Sequence, residues 1–483
     1  MREIKYRDVT VIGLARSGIG AANLLAGLGA RVTVTDTKSE EELKDVIPGL
    51  APSVRLALGS HPEDIFMNAD MLIVSPGVPL TIRPLLLAKA KGIPIVGELE
   101  FAYEIAMYGS DNPPLLPLLK SGKGGFLAIT GTNGKSTTTA LLDFMMKKSG
   151  FNTILGGNIG NAVTEEISKI ITRHEIRDTS HDYIVVEVSS FQLESIKDFR
   201  PKVAAILNVT PDHLDRYHSL EEYAAAKARI YENQKDGDFL VVNRDDPETM
   251  RLINEKLRTK IEKPHIICFS REQEVEGLYS KGGMVYCNIP GLLRVPHKSP
   301  LITTAEIKIK GVHNLENAMA ASAMALLAGC PIEAVIASLK EFPGLEHRLE
   351  FVRELDGVAY FNDSKGTNVD AVMKSLESFS RPVILIAGGR DKAGDFSRLR
   401  DFVRENVKAL VLIGEASEKI RAALGESTDT EMAKDLNAAV KIARNRAAGG
   451  DVVLLSPACA SFDMFADFED RGKQFKRIVM EMN

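Results

Sequence analysis

Short, continuous runs of β-branched and aliphatic residues alternate along most of the chain with longer stretches whose apolar positions recur every three to four residues. The short runs predict strands buried on both faces, and the 3.6-residue stretches predict helices that cover them. Alternation of the two predicts α/β layers with largely parallel sheets. In the first section, 9–12, 31–35, 71–74 and 93–96 read as strands, with an Ala/Leu-rich helix over 19–28 ended by Gly29. Residues 108–125 hold Asp-Asn-Pro-Pro, a further Pro and four Gly, punctuation dense enough for a linker. Beyond it, 126–130, 183–188, 203–208 and 239–243 read as strands, and 274–310 as antiparallel excursions. A third section contributes 383–387, 410–413 and 452–455. The expected organisation is therefore 1–107, a linker 108–125, 126–343 and 344–483. The mixed charges of 164–182 suggest a surface insertion.

With 483 residues, 45% hydrophobic, the chain can build several cores. Sixty Lys and Arg against sixty-five Asp and Glu leave a net charge of −5, which excludes a dominant basic surface for nucleic acid. No apolar run approaches the roughly 18–20 residues of a membrane span, and the first residues lack an apolar signal core. Cys268, Cys287, Cys330 and Cys459 show no CxxC spacing, so neither a disulfide framework nor a zinc-cysteine site is expected, and a reducing cytoplasm fits.

Candidate chemistry begins at Gly131-Thr132-Asn133-Gly134-Lys135-Ser136-Thr137, set between the strand 126–130 and a helix over 138–148. Strand, glycine loop and helix N-terminus form an anion cradle, with Lys135 reaching the β- and γ-phosphates and the Ser136 hydroxyl ligating Mg²⁺. Ile129 stands where the common G-x-x-x-x-G-K-[ST] loop has its first glycine. The strand 183–187 ends in Glu187, a carboxylate placed to hold Mg²⁺ beside such a loop, or else a buried or capping Glu. Asp212, His213 and Asp215 crowd another strand end. Lys227, on a helix over 220–232, reads from spacing alone as a solvated lysine. Asn314 opens a long Ala-rich helix, as N-caps do. Gly13 to Gly18, with Asp36 after the second strand, invites a dinucleotide reading, but Ala15 occupies the second glycine position.

The run Thr130–Thr137 resembles the ATP loop of the Mur ligases and their folylpolyglutamate synthetase relatives, ATP-dependent carboxylate–amine ligases in which the shorter loop is usual. Ser189-Ser190-Phe191-Gln192-Leu193, the N-x-x-x-D-H-x-D run from Asn208, Ala-Ala-Lys227-Ala-Arg-Ile-Tyr and the G-x-H-N-x-x-N run from Gly311 are similar to further segments of that family. The resemblance implies His213 as a ligand of a second Mg²⁺, Lys227 carbamylated by CO₂ into a metal ligand, and Asn314 and Asn317 near the nucleotide. His347-Arg348-Leu349-Glu350, Asn362-Asp363-Ser364-Lys365-Gly366-Thr367-Asn368, Gly388-Gly389-Arg390-Asp391-Lys392 and Ser456 to Asp463 resemble the D-glutamate-adding members, whereas the D-Y-A-H and D-N-P-R segments of the diaminopimelate- and lysine-adding ones do not occur.

The same resemblance implies a three-domain α/β fold: a Rossmann-like UDP-binding domain, a P-loop-type central ATPase domain and a doubly wound C-terminal domain. Arg348 and Asp363 would serve ATP, Lys365, Thr367, Lys392, Ser461 and Phe468 would hold D-glutamate, and Arg16, Ser17, Asp36, Thr37, Lys38, Gly77 and Asn158 would hold the UDP-muramoyl substrate. Lys38 stands where an Arg is expected, and Phe462 where a Leu is expected. The reaction implied joins D-glutamate to UDP-N-acetylmuramoyl-L-alanine through an acyl phosphate, in the cytoplasm, by a monomer that binds neither nucleic acid nor membrane. The alternative is another ligase of the family, or a folylpolyglutamate-type one, with a different amino acid.

Overall fold

The structure, a computed structural model, describes residues 7–111, 114–115, 118–119, 124–172, 181–213, 216–257, 262–292, 298–391 and 394–482. Two compact units are present, one comprising Met1–Glu306 with Glu316–Lys340, the other Ile307–Leu315 with Glu341–Asn483.

The first unit holds two large sheets. In one, the strands Arg55–Leu58, Arg31–Asp36, Asp8–Ile12, Met71–Val74 and Ile95–Gly97 lie in that spatial order, all parallel. Val9, Val11 and Ile12 are buried because the central strand is covered on both faces. The edge strand Arg55–Leu58 is only four residues long and none of them is buried, too weak a pattern to read from sequence. The helix Arg16–Gly27 starts three residues before the expected 19. A side chain at Gly18 would come within 2.0 Å of the Gly13 carbonyl, so glycine lets the helix begin directly on the turn.

The other sheet has nine strands, in the order Ser299–Thr303, Met284–Asn288, Gly277–Lys281, His265–Ser270, Phe239–Asn243, Val203–Ile206, Gly125–Thr130, Tyr183–Glu187 and Thr153–Gly157. Its first three strands pair antiparallel, as expected for 274–310, and the rest pair parallel. The linker region contains a two-stranded ladder, Ser110–Asp111 with Pro114–Leu115. The surface insertion expected at 164–182 is overturned for its described part. Val163–Thr172 is a helix whose Val163, Thr164 and Ile167 are fully buried, packed on the helix Arg16–Gly27; its charges line only the outer face. Glu98 accepts hydrogen bonds from the Thr164 N–H (2.9 Å) and hydroxyl (2.7 Å), and Glu100 accepts from the N–H groups of Lys197, Asp198 and Phe199. Two buried carboxylates thus pin the helix Glu98–Tyr108 to the central layer, and burial raises the pKa of both.

In the second unit a six-stranded sheet runs Glu350–Leu355, Val358–Asn362, Val452–Leu455, Val383–Gly388, Val407–Ile413 and Asp429–Met432. All pairs are parallel except the first, a hairpin closed through Asp356 and Gly357, both at positive φ. Among the described residues, no helix is long and apolar enough to cross a membrane.

Candidate active site

Thr130 ends a fully buried strand, and the helix Lys135–Lys148 starts at Gly134, at φ +84°. Gly131, at φ +151°, lies against Leu207 and Asn208; a Cβ there would sit 3.0 Å from the Leu207 Cβ. Asn208 fixes the loop from the neighbouring strand end. Its carbonyl accepts from Thr132 N–H (2.9 Å), its side-chain oxygen accepts from Asn133 N–H (2.8 Å), and its amide donates to the Asn133 carbonyl (3.2 Å). Thr132 Oγ1 accepts from Thr210 N–H, 3.0 Å away. Asn317 closes the other side: a Cβ on Gly134 would come 2.2 Å from its Oδ1, which also accepts from the Thr138 hydroxyl (3.2 Å). Ser136 and Thr137 are buried in the first turn of the helix.

Two lysine side chains meet on one carbonyl. Lys135 Nζ donates to the Gly131 oxygen (2.9 Å) and the Thr132 oxygen (2.8 Å), and Lys227 Nζ donates to the same Gly131 oxygen (2.9 Å). Lys227 is 1% exposed and lies 4.3 Å from the centre of the Tyr223 ring. Burial, with Lys135 adjacent, drives its amine well below the ordinary lysine value. The sequence-based reading of a solvated helix lysine is thereby corrected: Leu220–Ala228 is packed on both sides, and Lys227 faces inward.

Glu187, 2% exposed, ends its strand against Gly157, where a Cβ would meet the Glu187 carbonyl at 2.3 Å. Its Oε1 accepts from Asn158 Nδ2 (2.8 Å), while Oε2 is buried with no hydrogen-bond partner. Thr130 Oγ1, Asn133 Nδ2 and Thr210 Oγ1 are likewise buried and unsatisfied. Unsatisfied polar atoms at this density are costly, and a carboxylate oxygen with an amide donor and hydroxyls is the donor set that a divalent cation and phosphate oxygens would satisfy. His213 adopts φ +54°, a strained conformation for a residue with a side chain. Its carbonyl accepts from Arg216 and Tyr217 N–H (3.0 Å each), its ring packs edge-on to Phe191 at 4.9 Å, and Asp212 lies 3.8 Å from Nε2. Asp215 lies outside the described residues.

In the first sheet's domain, Asp36 accepts from Leu14 N–H (2.7 Å) and Lys38 N–H (2.9 Å), so Thr37 and Lys38 lie in a turn tied to the first glycine loop. Arg16 is exposed there and Ser17 half-buried, and the Ser75 hydroxyl donates to the Gly13 carbonyl (2.8 Å), bringing the turn that contains Gly77 alongside. Arg16 Nη1 donates to the Gly160 carbonyl (2.6 Å). The turn 157–160 thus reaches the N-terminal cluster at Gly160 and Glu187 at Asn158.

In the second unit, Asn314 donates to the Lys310 carbonyl (2.7 Å). Asp363 is buried; its Oδ2 accepts from the hydroxyls of Ser375 and Ser456 (2.7 Å each), and burial raises its carboxyl to about 6 despite these bonds and the nearby Arg348. Lys365 Nζ lies 3.6 Å from the centre of the Phe468 ring, and the Phe468 carbonyl accepts from the Ser364 hydroxyl (2.8 Å). Ser461 is buried, and Thr367 N–H donates to the Lys365 carbonyl. Lys392 lies outside the described residues. Sequence reasoning gave no part to Asn208, Tyr223 or Arg471. Asn208 at a strand end beside a glycine loop was a usable signal; a tyrosine and an arginine within helices carried none.

Three family descriptions match: the Mur ligase MurD-like N-terminal domain over residues 7–97, the Mur ligase middle domain over 129–325, and the Mur ligase glutamate ligase domain over 347–459. A UDP-N-acetylmuramoylalanine–D-glutamate ligase of Geotalea uraniireducens is 44% identical over all of this chain and 99% of its own length. One of Geotalea daltonii is 47% identical over 99% of this chain and 98% of its own. Among solved structures, the MurF ligase of Thermotoga maritima in complex with ADP shares the fold at a TM-score of 0.59 and 15% identity, covering 93% of this chain and 95% of its own. UDP-N-acetylmuramate-alanine ligase from the same organism gives 0.57 and 17%, covering 98% and 99%. The phosphate loop set between a buried strand and a helix, the acid and histidine gathered beside it, and this full-length identity agree: the chain belongs to the Mur ligase family.

Proposed function

We propose that this chain uses ATP to join the amine of D-glutamate to the terminal carboxylate of UDP-N-acetylmuramoyl-L-alanine. The observation that carries the reading is the meeting of Lys135 and Lys227 on the Gly131 carbonyl, with Glu187 in register with Ile129 on the neighbouring strand and His213 three residues beyond Thr210, which bonds Thr132, in a chain 40–47% identical along its length to relatives bearing that ligase's name. A carboxylate is a poor electrophile. Transfer of the ATP γ-phosphoryl group to the alanine carboxylate gives an acyl phosphate, which the D-glutamate amine attacks with release of phosphate.

Lys135 exchanges its loop carbonyls for β- and γ-phosphate oxygens, and the N–H groups opening the helix Lys135–Lys148 complete the cradle. Asn133, Asn317, Asn314, Arg348 and Asp363 serve the nucleotide. Mg²⁺, in two sites, would screen the repulsion between phosphate and carboxylate oxygens. Ser136, Glu187, His213 and Lys227 would hold it. Lys227 can do so because its depressed pKa keeps a neutral amine available. Attack of that nitrogen on CO₂ forms a C–N bond, a proton leaves to water, and a carbamate anion then stands beside the Lys135 ammonium.

Arg16, Ser17, Asp36, Thr37, Lys38 and Gly77 bind the UDP end, with Asn158 at the sugar-peptide part. Lys365, Thr367, Lys392, Ser461 and Phe468 bind D-glutamate, whose two carboxylates call for cations and hydroxyls. Residues 1–107, 126–343 and 344–483 act as three domains of a cytoplasmic monomer. Phosphate release with ATP, Mg²⁺ and UDP-N-acetylmuramoyl-L-alanine, across D-Glu, L-Glu, L-Lys, meso-diaminopimelate and no amino acid, tests the proposal. Release with D-Glu alone is expected. Release with another amino acid would overturn the specificity, and none at all would overturn the reaction.

A further inference from the structure

Among the described residues, Arg471 is the largest fully buried side chain, at 0% exposure. Its Nε donates to the Ser364 hydroxyl (2.9 Å), Nη2 to the Ser364 carbonyl (2.9 Å) and the Cys459 carbonyl (3.2 Å), and Nη1 to the Ala460 carbonyl (3.5 Å). Every partner is neutral, and among the described residues no carboxylate comes within ion-pair distance; Asp363 and Asp463 act on it only through space. A buried charge without a counter-ion is expensive, and burial lowers even this guanidinium to about 10. A strut joining two turns could be apolar. The partners are also not arbitrary: Ser364 precedes Lys365, Cys459 and Ala460 precede Ser461, and Phe468 lies one turn before Arg471 on the same helix, its carbonyl taking the Ser364 hydroxyl. Space is tight here: a Cβ on Gly389 would come 2.2 Å from the Ala460 carbonyl and 3.2 Å from Nη1.

We propose that Arg471 is a positioning residue for binding of the dicarboxylic amino acid: its planar fork holds the Lys365 turn and the Ser461 turn in register, and its unneutralised charge favours an anionic ligand between them. This rests on the assignment of D-glutamate as the amino-acid substrate. Arginine suits the task because one rigid group offers donors to both turns at once, which lysine cannot.

The test is steady-state kinetics of the full chain with Arg471→Met, which keeps volume without charge, and Arg471→Lys, which keeps charge without the fork. The Met variant should raise the KM for D-Glu at least about tenfold, the equivalent of ~1.4 kcal/mol. KM for ATP and for the UDP-muramoyl substrate should stay within about twofold, and the Lys variant should fall between Met and wild type. An unchanged D-Glu KM, or a parallel rise in all three constants with a lowered melting temperature, would reduce Arg471 to a structural strut and overturn the proposal. If the Met variant does not fold, the Lys variant decides by the same comparison: a selective rise supports the proposal, and an unselective one overturns it. Wild-type enzyme measured alongside separates the two levels. No D-Glu-dependent turnover in wild type defeats the ligase reading and this proposal with it, whereas wild-type turnover with unselective variants defeats this proposal alone.

Discussion

Lys227→Met should remove activity without costing stability. Both lysine nitrogens lie 2.9 Å from the Gly131 oxygen, so they are at most about 5.8 Å apart. At an effective dielectric of 20, a protonated Lys227 at that separation would be repelled by Lys135 by ~3 kcal/mol, which together with burial is why its pKa is depressed. Methionine removes a 1%-exposed amine that folding must either keep charged beside Lys135 or deprotonate below its ordinary pKa, and it fills nearly the same volume. Against this stands the loss of one hydrogen bond to the Gly131 carbonyl, ~0.5–1.5 kcal/mol, and of a contact with the Tyr223 ring. The Gly131 carbonyl keeps Lys135 as its donor. The balance lies between neutral and ~3 kcal/mol in favour of the variant in CO₂-free buffer, where a stabilising change of 1 kcal/mol raises the melting temperature of a domain this size by roughly 2–4 °C. Turnover should fall at least about a hundredfold as charge stabilisation is lost. Bicarbonate should raise the melting temperature of wild type, by placing a carbamate anion beside the Lys135 ammonium, and leave the Met variant unmoved. Thermal melts with and without bicarbonate, paired with phosphate release, make the assay. A variant that melts several degrees below wild type in CO₂-free buffer, or keeps activity within about tenfold, would refute the reasoning.

Lys135→Ala and His213→Ala should each lower phosphate release by at least about a hundredfold with a near-native circular dichroism spectrum; activity close to wild type would remove either from the chemistry. Gly134→Ala places a Cβ 2.2 Å from Asn317 Oδ1 at φ +84°, which should cost ~1–2 kcal/mol in backbone strain and weaken ATP binding more than tenfold by calorimetry. Asp363 keeps its proton to about pH 6 when folded, whereas the unfolded carboxyl releases it near 3.9. Between those values the folded state binds more protons, so this group's contribution to stability declines as pH rises. Asp363→Asn should therefore gain stability relative to wild type between pH 4 and 7, by up to ~3 kcal/mol in denaturant titrations; parallel pH profiles would contradict this.

The layered α/β character and the strand, glycine loop and helix over 125–148 were legible in the residues alone. Buried parallel strands must be continuously apolar, and a glycine loop between strand and helix is a local object whose chemistry is written in seven adjacent residues. The antiparallel end of the central sheet was legible for the same local reason. Short, unburied edge strands such as Arg55–Leu58 were not, because an edge needs only one covered face. The charges of 164–172 concealed a buried helix, since an amphipathic helix shows its polar face to composition and its apolar face only to a partner. It took the folded chain to turn Lys227 inward onto Gly131, to bring Asn158 to Glu187 and to tie the loop with Asn208. Folding also placed Arg471 between two turns about a hundred residues apart in the chain. Burial and charge compensation depend on what the rest of the chain brings alongside. A lysine in solvent and a lysine beside a second buried ammonium are the same letter, and they differ only in what surrounds them.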